Sequence, residues 1–333
     1  MNILVTGGAG FIGSHTCVSL LEEGHRVIAF DNFYNSKETV IENIKKITGK
    51  EFIFYNADLT VPDDLEKIFS ENKIDCVIHF AGYKAVGESV EIPLAYYHNN
   101  IYGTLCLLEK MQKYNVKRII FSSSATVYGK PASLPIREDF PRSVTNPYGR
   151  TKLMIEDILQ DLWRSDRKWS IMLLRYFNPV GAHESGLLCE DPKGIPNNIM
   201  PRILDVAYGK APYITVFGND YHTKDGSGVR DYIHVVDLAY GHVKALEYTA
   251  CHETVEAVNL GTGTGYSVFD LLHTFETVNH VGIPYRVCAR RAGDIDACYA
   301  DPTKAKELFG WSAVHGLEDM CRDAYLARQK LEE

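Results

Sequence analysis

The sequence lacks the features that would place it in a membrane, secreted or nucleic-acid-binding class. It contains no run of about 18 apolar residues, so no membrane-spanning helix is predicted. Its apolar N-terminus has no basic flank, and we interpret it as a first strand rather than a signal peptide. There is no run of Lys and Arg, and the formal net charge is −8. The basic surface that binds nucleic acid is therefore not expected.

The cysteine and histidine patterns exclude the usual metal motifs. The 8 cysteines are scattered and form no C-x-x-C pair, so neither a zinc site nor a redox motif is predicted. The 12 histidines form no H-E-x-x-H or comparable ligand pair, so no metal is predicted. Several cysteines lie in apolar runs, as Cys76 does, and we interpret them as buried reduced thiols. Thiols of this kind predict a reducing compartment, hence a cytoplasmic location.

The composition is that of a globular α/β protein. The chain has 333 residues, of which 45% are hydrophobic and 23% charged, so disorder is not expected. This length predicts two domains, or one large domain with an appendage. Short apolar runs alternate with helical segments through the first half, which predicts a Rossmann-type, doubly wound parallel sheet. The predicted strands are Ile3–Thr6, Arg26–Phe30, Phe52–Tyr55, Cys76–Phe80, Arg118–Ser122 and Ile171–Leu174.

The regular alternation of predicted strands and helices ends after about Asn178. Proline and glycine then become frequent, which predicts a second, smaller lobe. We divide the chain into a first, Rossmann-type domain of residues 1–177 and a second domain of mainly residues 178–333. Residues 229–262 are expected to return to the first domain, with Val229–Val235 and Val255–Leu260 joining its sheet and Asp237 capping the helix between them.

A glycine-rich turn follows the first predicted strand. Gly7, Gly10 and Gly13 form a G-x-x-G-x-x-G pattern that opens a helix. Glycines allow a tight turn and a close backbone approach, and the helix N-terminus favours a pyrophosphate. Asp31, at the end of the second strand, is suited to accept hydrogen bonds from a ribose diol and would repel a 2′-phosphate. The pattern therefore predicts NAD rather than NADP, with a bare structural turn as the alternative.

A tyrosine and a lysine lie four residues apart in a predicted helix that begins at Pro147. Tyr148 and Lys152 share one helical face, so their side chains can reach one site. A free tyrosine has a pKa of about 10. A nearby cation, here Lys152 together with the positive nicotinamide ring, lowers that value. Ser124 follows a predicted strand, at the sheet edge where ligands bind in open α/β sheets, and can bind the same substrate hydroxyl.

Together these motifs resemble those of the UDP-glucose 4-epimerases, a family of extended short-chain dehydrogenase/reductases. The similarity runs over nearly the whole chain. It rests on segments 79–89, Ser122–Gly129, Arg175–Pro179, Gly194–Asn198, Phe217–Tyr221, Gly228–His234 and Arg290–Asp294.

The resemblance implies the chemistry and the sites. Tyr148 takes the proton of the sugar 4-hydroxyl while a hydride passes from C4 to tightly held NAD, and the 4-keto sugar then turns over. Lys152 tunes Tyr148, and Ser124 orients the hydroxyl. The implied NAD-binding residues are Gly7, Gly10, Phe11, Ile12, Gly13, Asp31, Asn32, Asn35, Ser36, Asp58, Leu59, Phe80, Ala81, Gly82, Lys84, Asn99, Tyr148, Lys152 and Phe177. The implied UDP-hexose-binding residues are Lys84, Ser124, Tyr148, Asn178, Asn198, Ile199, Phe217, Arg230, Arg291, Asp294 and Cys298.

Physical chemistry supports Arg230 and Arg291 as diphosphate ligands, because guanidinium groups bind phosphate oxygens in bidentate fashion. The resemblance also implies a homodimer, formed by the helix that contains Tyr102 and the helix from Pro147.

More than one chemistry is compatible with this set of motifs. Related 4,6-dehydratases have an Asp-Glu pair where this chain has Ala125 and Thr126, so elimination of water is not supported. A net dehydrogenase and a catalytically silent NAD-sensing scaffold both stay open. Cys298 replaces a bulky tyrosine of several epimerases, which predicts room for a 2-N-acetyl group; alternatively it is a small packing residue. We interpret Gly261–Gly265 as a structural turn before a helix cap at Ser267, and His79 as a hydrogen-bonded core residue.

Overall fold

The computed structural model describes residues 1–194, 196–291 and 293–332. Ile195 and Ala292 belong to two of the segments named above and lie outside the described residues, as does Glu333. Within the described part, the strands are β1 (Asn2–Thr6), β2 (Arg26–Asp31), β3 (Ile53–Asn56), β4 (Cys76–His79), β5 (Arg118–Ser124), β6 (Ser170–Tyr176), β7 (Asn178–Val180), β8 (Ile214–Phe217), β9 (Val229–Arg230), β10 (Tyr232–His234), β11 (Val255–Leu260), β12 (Tyr266–Ser267), β13 (Tyr285–Cys288) and β14 (Ala297–Cys298).

The helices alternate with these strands in the first half of the chain and cluster in the second. Across the same residues they are α1 (Phe11–Glu22), α2 (Thr39–Thr48), α3 (Pro62–Glu71), α4 (Val86–Glu91), α5 (Pro93–Tyr96), α6 (Gly103–Lys113), α7 (Pro147–Ser165), α8 (Ile199–Ala207), α9 (Val235–Cys251), α10 (Val268–Asn279), α11 (Thr303–Phe309) and α12 (Leu317–Glu332). A π-helix at Tyr97–Tyr102 precedes α6, and a 3₁₀ turn at Ala125–Tyr128 follows β5. None of the described helices is long and apolar enough to cross a membrane.

Seven strands form one parallel sheet in the order β11-β6-β5-β4-β1-β2-β3. Apolar side chains of α1, α2 and α9 pack on one face, and those of α3, α6 and α7 pack on the other. A parallel sheet is stable when both faces are covered, because its strands are apolar on both sides. The predicted doubly wound α/β fold is confirmed. The order reverses between β1 and β4, and ligands bind at such a switch point, beyond the carboxyl ends of the strands.

The second half of the chain builds a smaller layer with its own core. Helices α8, α10 and α12 pack around β8 and β10. Strands β7 and β10 pair with each other, β8 pairs with β13, and β9 lies between β12 and β14. The prediction that Val229–Val235 joins the main sheet is therefore wrong, because β9 and β10 pair outside that sheet and Val235 begins α9. Strands of two or three residues are too short to show a hydrophobic period.

The segment that follows does return to the main sheet. Helix α9 packs on α1, and Val255–Leu260 pairs with β6 at the sheet edge, as predicted. The cap of α9 is His234, whose ring Nδ1 accepts a hydrogen bond from the backbone N–H of Val236. Asp237, the predicted cap, instead accepts hydrogen bonds from the backbone N–H groups of Val314 and His315. It therefore joins α9 to the C-terminal segment.

Candidate active site

The turn between β1 and α1 forms a close-fitting backbone cradle. Gly7 has a φ of +69°, and a Cβ atom on it would lie 2.9 Å from the backbone nitrogen of Ala81. A Cβ atom on Gly13 would lie 2.1 Å from the carbonyl oxygen of Gly7. In this fully described stretch no side chain caps the N-terminus of α1 at Gly10, so Phe11 and Ile12 begin a helix end suited to an anion. The cradle fits the pyrophosphate of a dinucleotide.

Asp31 lies beside this cradle at the end of β2. Its Oδ2 accepts a hydrogen bond from the backbone N–H of Ala9 at 3.1 Å. Its Oδ1 accepts from the N–H of Phe33 and from the hydroxyl of Ser36, both at 2.9 Å. Burial raises the pKa of Asp31, and these hydrogen bonds oppose that shift. The structure brings the predicted ribose ligand and Ser36 next to the glycine turn.

The next two predicted residues, Asn32 and Asp58, join the ends of β2 and β3. Asn32 Nδ2 donates to Asp58 Oδ2 at 2.8 Å. Burial acts to raise the pKa of Asp58, but the hydrogen bonds from Thr60 and Asn32 hold it below its ordinary value. Leu59 is buried beside Asp58. Asn35 Oδ1 accepts from the backbone N–H of Lys193 at 2.9 Å, which links this edge of the sheet to the second half of the chain.

The residues after β4 form the opposite wall. Phe80 N–H donates to the Thr6 carbonyl at 3.2 Å, and Ala81 N–H donates to the Thr6 hydroxyl at 3.0 Å, which holds this segment against β1. A Cβ atom on Gly82 would lie 3.2 Å from Asn100 Oδ1, which also accepts from Asn99 Nδ2 at 2.9 Å. His79 is buried between the hydroxyls of Thr6 and Thr104, which confirms its structural interpretation.

Ser124, Tyr148 and Lys152 come together at the end of β5. Helix α7 begins at Pro147, as predicted, and its cap Asn146 accepts a hydrogen bond from the N–H of Gly149 at 2.8 Å. Tyr148 is in its first turn. Lys152 is buried, donates to the carbonyl oxygen of Ser122, and has its nitrogen 6.0 Å from the centre of the Tyr148 ring.

Burial favours the neutral forms of both ionisable groups. It lowers the pKa of Lys152 to about 7. It raises the pKa of Tyr148, and the neighbouring Ser124 side chain opposes that shift. Among the groups present, the influence that opposes burial comes from Ser124. The lowering of the Tyr148 pKa by Lys152 together with the positive nicotinamide ring stays a prediction.

The 3₁₀ turn after Ser124 supplies no acidic side chain. Ala125 and Thr126 open it, and the backbone N–H and hydroxyl of Thr126 donate to Ser124 Oγ at 3.2 and 3.0 Å. Thr126 therefore orients the serine hydroxyl.

Five of the predicted substrate residues converge although they belong to distant segments. The Arg291 guanidinium lies 4.9 Å from the centre of the Phe217 ring, and its Nε donates to Asp294 Oδ2 at 3.0 Å. An Arg230 nitrogen lies 3.9 Å from the other Asp294 oxygen. Pairing of β9 with β14 sets Arg230 opposite Cys298. Two guanidinium groups therefore share one carboxylate beside a half-exposed aromatic ring. This arrangement suits the binding of a nucleoside diphosphate.

Three further predicted residues lie just before β7, at the start of β7 and at the start of α8. Phe177 and Cys298 pack in one small apolar cluster with Leu153. Asn178 N–H donates to the Asp231 carbonyl at 2.9 Å, and Ile199 begins α8.

Glu190 joins this site although no sequence motif predicted it. Its buried Oε1 accepts hydrogen bonds from Lys84 Nζ at 2.8 Å and from Asn198 Nδ2 at 2.5 Å. It therefore links a predicted cofactor residue to a predicted substrate residue. No local signal marks Glu190, because Lys84 is distant in sequence and reaches it only through the fold.

Comparison with known proteins places the chain among nucleotide-sugar enzymes. The family model described as GDP-mannose 4,6 dehydratase matches residues 4–324. A UDP-glucose 4-epimerase of Bacillus subtilis (strain 168) is 60% identical over 325 residues, which cover 98% of this chain and 96% of the relative.

Two solved structures extend this likeness to the fold. The UDP-glucose 4-epimerase from Bifidobacterium longum, crystallised with NAD⁺ and UDP, is 53% identical with a TM-score of 0.97, covering 99% of this chain and 98% of that one. The UDP-Glc/GlcNAc 4-epimerase from Campylobacter jejuni is 33% identical with a TM-score of 0.86, covering 99% of each chain.

Proposed function

The chain belongs to the family of UDP-glucose 4-epimerases, and from this premise we propose that it interconverts UDP-glucose and UDP-galactose with NAD as a bound cofactor. The observation that carries the proposal is the meeting of Ser124, Tyr148 and Lys152 at the sheet edge that also holds the glycine cradle. A relative crystallised with NAD⁺ and UDP supports both ligands.

The proposed reaction needs a base, a hydroxyl-orienting group and a cation. NAD, when bound, supplies reversible acceptance of a hydride from C4 of the sugar. Tyr148, as phenolate, removes the proton of the 4-hydroxyl and returns it after the sugar has turned over. Ser124 binds the same oxygen. Lys152, when charged, favours the phenolate because an opposite charge nearby lowers its pKa. No net oxidation follows, so NAD is not consumed.

The second lobe is proposed to hold the UDP group and leave the hexose free to turn. Arg230 and Arg291 offer bidentate contacts to the diphosphate, and the exposed face of Phe217 suits a uracil ring. Anchoring through the nucleotide alone permits rotation of the 4-keto sugar. Either face of C4 can then be reduced.

Epimerisation is preferred to elimination on chemical grounds. The matched family model carries the name of a dehydratase. Elimination of water from C5 and C6 needs a carboxyl acid–base pair, and the residues after Ser124 are Ala125 and Thr126. Neither side chain carries a carboxyl group, so neither can serve as that acid–base pair.

We further propose that the enzyme accepts UDP-N-acetylglucosamine. Cys298 is a small side chain beside Phe177 and Leu153, close to the predicted nicotinamide position. The smaller side chain leaves more room than a tyrosine there, which suits an N-acetyl group at C2. A relative with a similar fold is named for activity on both sugar classes.

A homodimer and a reducing location are also proposed. Seven exposed apolar side chains lie on or beside α4, α5, the π-helix, α6 and α7, and we propose that they form one apolar surface: Val86, Val90, Ile92, Leu94, Tyr102, Leu105 and Met154. Large exposed apolar patches mark association surfaces. All eight cysteines are free thiols, which suits a cytoplasmic compartment.

The decisive experiment is incubation of the purified protein with UDP-galactose without added NAD, with products identified by NMR. UDP-glucose should form in many turnovers per subunit. Tyr148→Phe should lower kcat on the order of a hundredfold or more while UDP binding, measured by calorimetry, is retained. Product that appears only in proportion to added NAD would indicate a net dehydrogenase. No product, with NAD bound, would indicate a silent scaffold.

A further inference from the structure

Helix α7 presents a third ionisable side chain on the face that holds Tyr148 and Lys152. Glu156 lies one helical turn beyond Lys152, so the three side chains follow one line along the helix. Glu156 has no exposed surface. Neither the family resemblance nor the proposed mechanism gives it a role.

Both carboxylate oxygens of Glu156 are occupied. Oε1 accepts from Arg175 Nε at 2.9 Å and from the Ser123 hydroxyl at 2.6 Å. Oε2 accepts from a second Arg175 nitrogen at 2.8 Å and from Arg142 at 3.2 Å. Arg175 is 3% exposed. The two residues form a buried, bidentate ion pair, the geometry that makes such contacts strong and directional.

The partners of this pair flank Ser124 on both sides. Ser123 precedes it, and β5–β6 register sets Ser123 opposite Arg175. Arg175 also donates to the Tyr128 hydroxyl at 2.9 Å, and Tyr128 ends the 3₁₀ turn that follows Ser124. The ion pair thus holds the residues before and after Ser124 to the helix that contains Tyr148 and Lys152.

We propose that Glu156 and Arg175 are positioning residues for the reaction, fixing Tyr148 and Lys152 on α7 against Ser124 on β5. This inference rests on the proposed function and deepens it. Neither residue contacts the reacting groups. Their effect is geometric, because β5 and α7 are separate elements and the contacts of the ion pair join one to the other.

The variant Glu156→Gln tests this. It keeps the side chain's shape and removes its charge. We expect kcat for UDP-galactose to fall on the order of tenfold to a hundredfold, because displacements near 1 Å have effects of that size. The KM for UDP-galactose and the NAD content per subunit should stay unchanged, because both binding sites lie elsewhere.

Asp157→Asn is the matched control. Asp157 is the next residue on α7 and also bonds Arg142, at 2.7 Å, but its side chain is half exposed. The chemical change is the same, and we expect kcat to equal that of the wild type. An equal loss of kcat in both variants would overturn the proposal.

A positional effect also has a signature in the pH profile of kcat. Burial raises the pKa of Tyr148, and the nearby Ser124 side chain opposes that shift. If Glu156→Gln separates the two residues, the acid limb of the profile moves to higher pH. A variant with a lower thermal midpoint but an unchanged kcat and pH profile would show that the pair is only structural.

The double variant Glu156→Met/Arg175→Met separates folding from positioning. Apolar replacement of a buried ion pair often preserves stability. We expect a thermal midpoint near that of the wild type with kcat still reduced, and wild-type kcat would overturn the proposal.

An inactive wild type would instead show that the proposed function is wrong. Crystal structures of wild type and Glu156→Gln would then decide the positioning, since an unchanged distance between Tyr148 Oη and Ser124 Oγ would overturn it.

Discussion

The side-chain nitrogen of Lys152 lies 6.0 Å from the centre of the Tyr148 ring, one turn away on the same face of α7. The same nitrogen donates to the Ser122 carbonyl, so its place relative to β5 is fixed. Burial lowers the pKa of Lys152 to about 7. Because this pKa is near neutral pH, small changes in the surroundings of Lys152 change its charge. The charge of Lys152 in turn affects how easily Tyr148 forms its phenolate.

The first prediction concerns the pH dependence of stability. The unfolded chain binds a proton at Lys152 up to its ordinary pKa near 10.5, whereas the folded chain releases it near 7. The unfolded state therefore binds more protons between these values, and stability rises with pH there. For the cofactor-free protein, we expect the free energy of unfolding by urea to rise between pH 7 and 9 by about 2 kcal/mol more in wild type than in Lys152→Met.

The comparison between the two proteins cancels the contributions of other groups. Identical slopes in both proteins would show that Lys152 keeps its ordinary pKa in the folded state. A wild-type stability that falls relative to the variant over this range would mean that the ammonium form is favoured by folding.

The second prediction concerns sugar selectivity. Cys298→Tyr should abolish turnover of UDP-N-acetylglucosamine while keeping that of UDP-galactose within a fewfold of wild type, because the larger ring fills the space proposed for the N-acetyl group. NMR of the product mixtures measures both. Cys251→Tyr, the same change at an exposed cysteine, should leave both activities unchanged. A wild-type enzyme inactive on the N-acetyl sugar would remove the selectivity proposal.

The third prediction concerns the glycine cradle. Gly13→Ala should displace the turn, because the new Cβ would lie 2.1 Å from the Gly7 carbonyl oxygen. We expect the NAD content per subunit to fall sharply and the free energy of unfolding to drop by about 1–3 kcal/mol. NAD released on denaturation and urea unfolding are the measurements. Gly282→Ala, where a Cβ meets nothing within 4 Å, is the control and should match wild type.

The fourth prediction concerns the apolar surface. Leu94 is 82% exposed within it, so Leu94→Asp should convert a dimer to a monomer by placing a charge in an apolar interface. Sedimentation velocity measures the change. Val314→Asp, at a valine 79% exposed outside that surface, should remain dimeric. A wild-type monomer at micromolar concentration, or a dimeric Leu94→Asp, would contradict the proposed dimer.

The sequence alone specified the parts of the protein that depend on neighbouring residues. The strand–glycine–helix order predicted the cradle and Asp31, because both lie within one βαβ unit. The spacing of Tyr148 and Lys152 predicted a shared helical face, and Pro147 marked where that helix starts. Alternating strands and helices predicted the parallel sheet, since that arrangement buries such apolar runs on both sides.

Contacts between distant segments are visible only in the folded chain. Strands β9 and β10 are too short to show a period, so their pairing outside the main sheet was invisible in the sequence. Glu190 meets Lys84, and Glu156 meets Arg175, only because folding brings separate elements together. A buried carboxylate needs a hydrogen-bonding or charged partner, and here the fold supplies that partner from a distant segment. Residue spacing specifies a face of one helix or strand, and packing between elements specifies which faces meet.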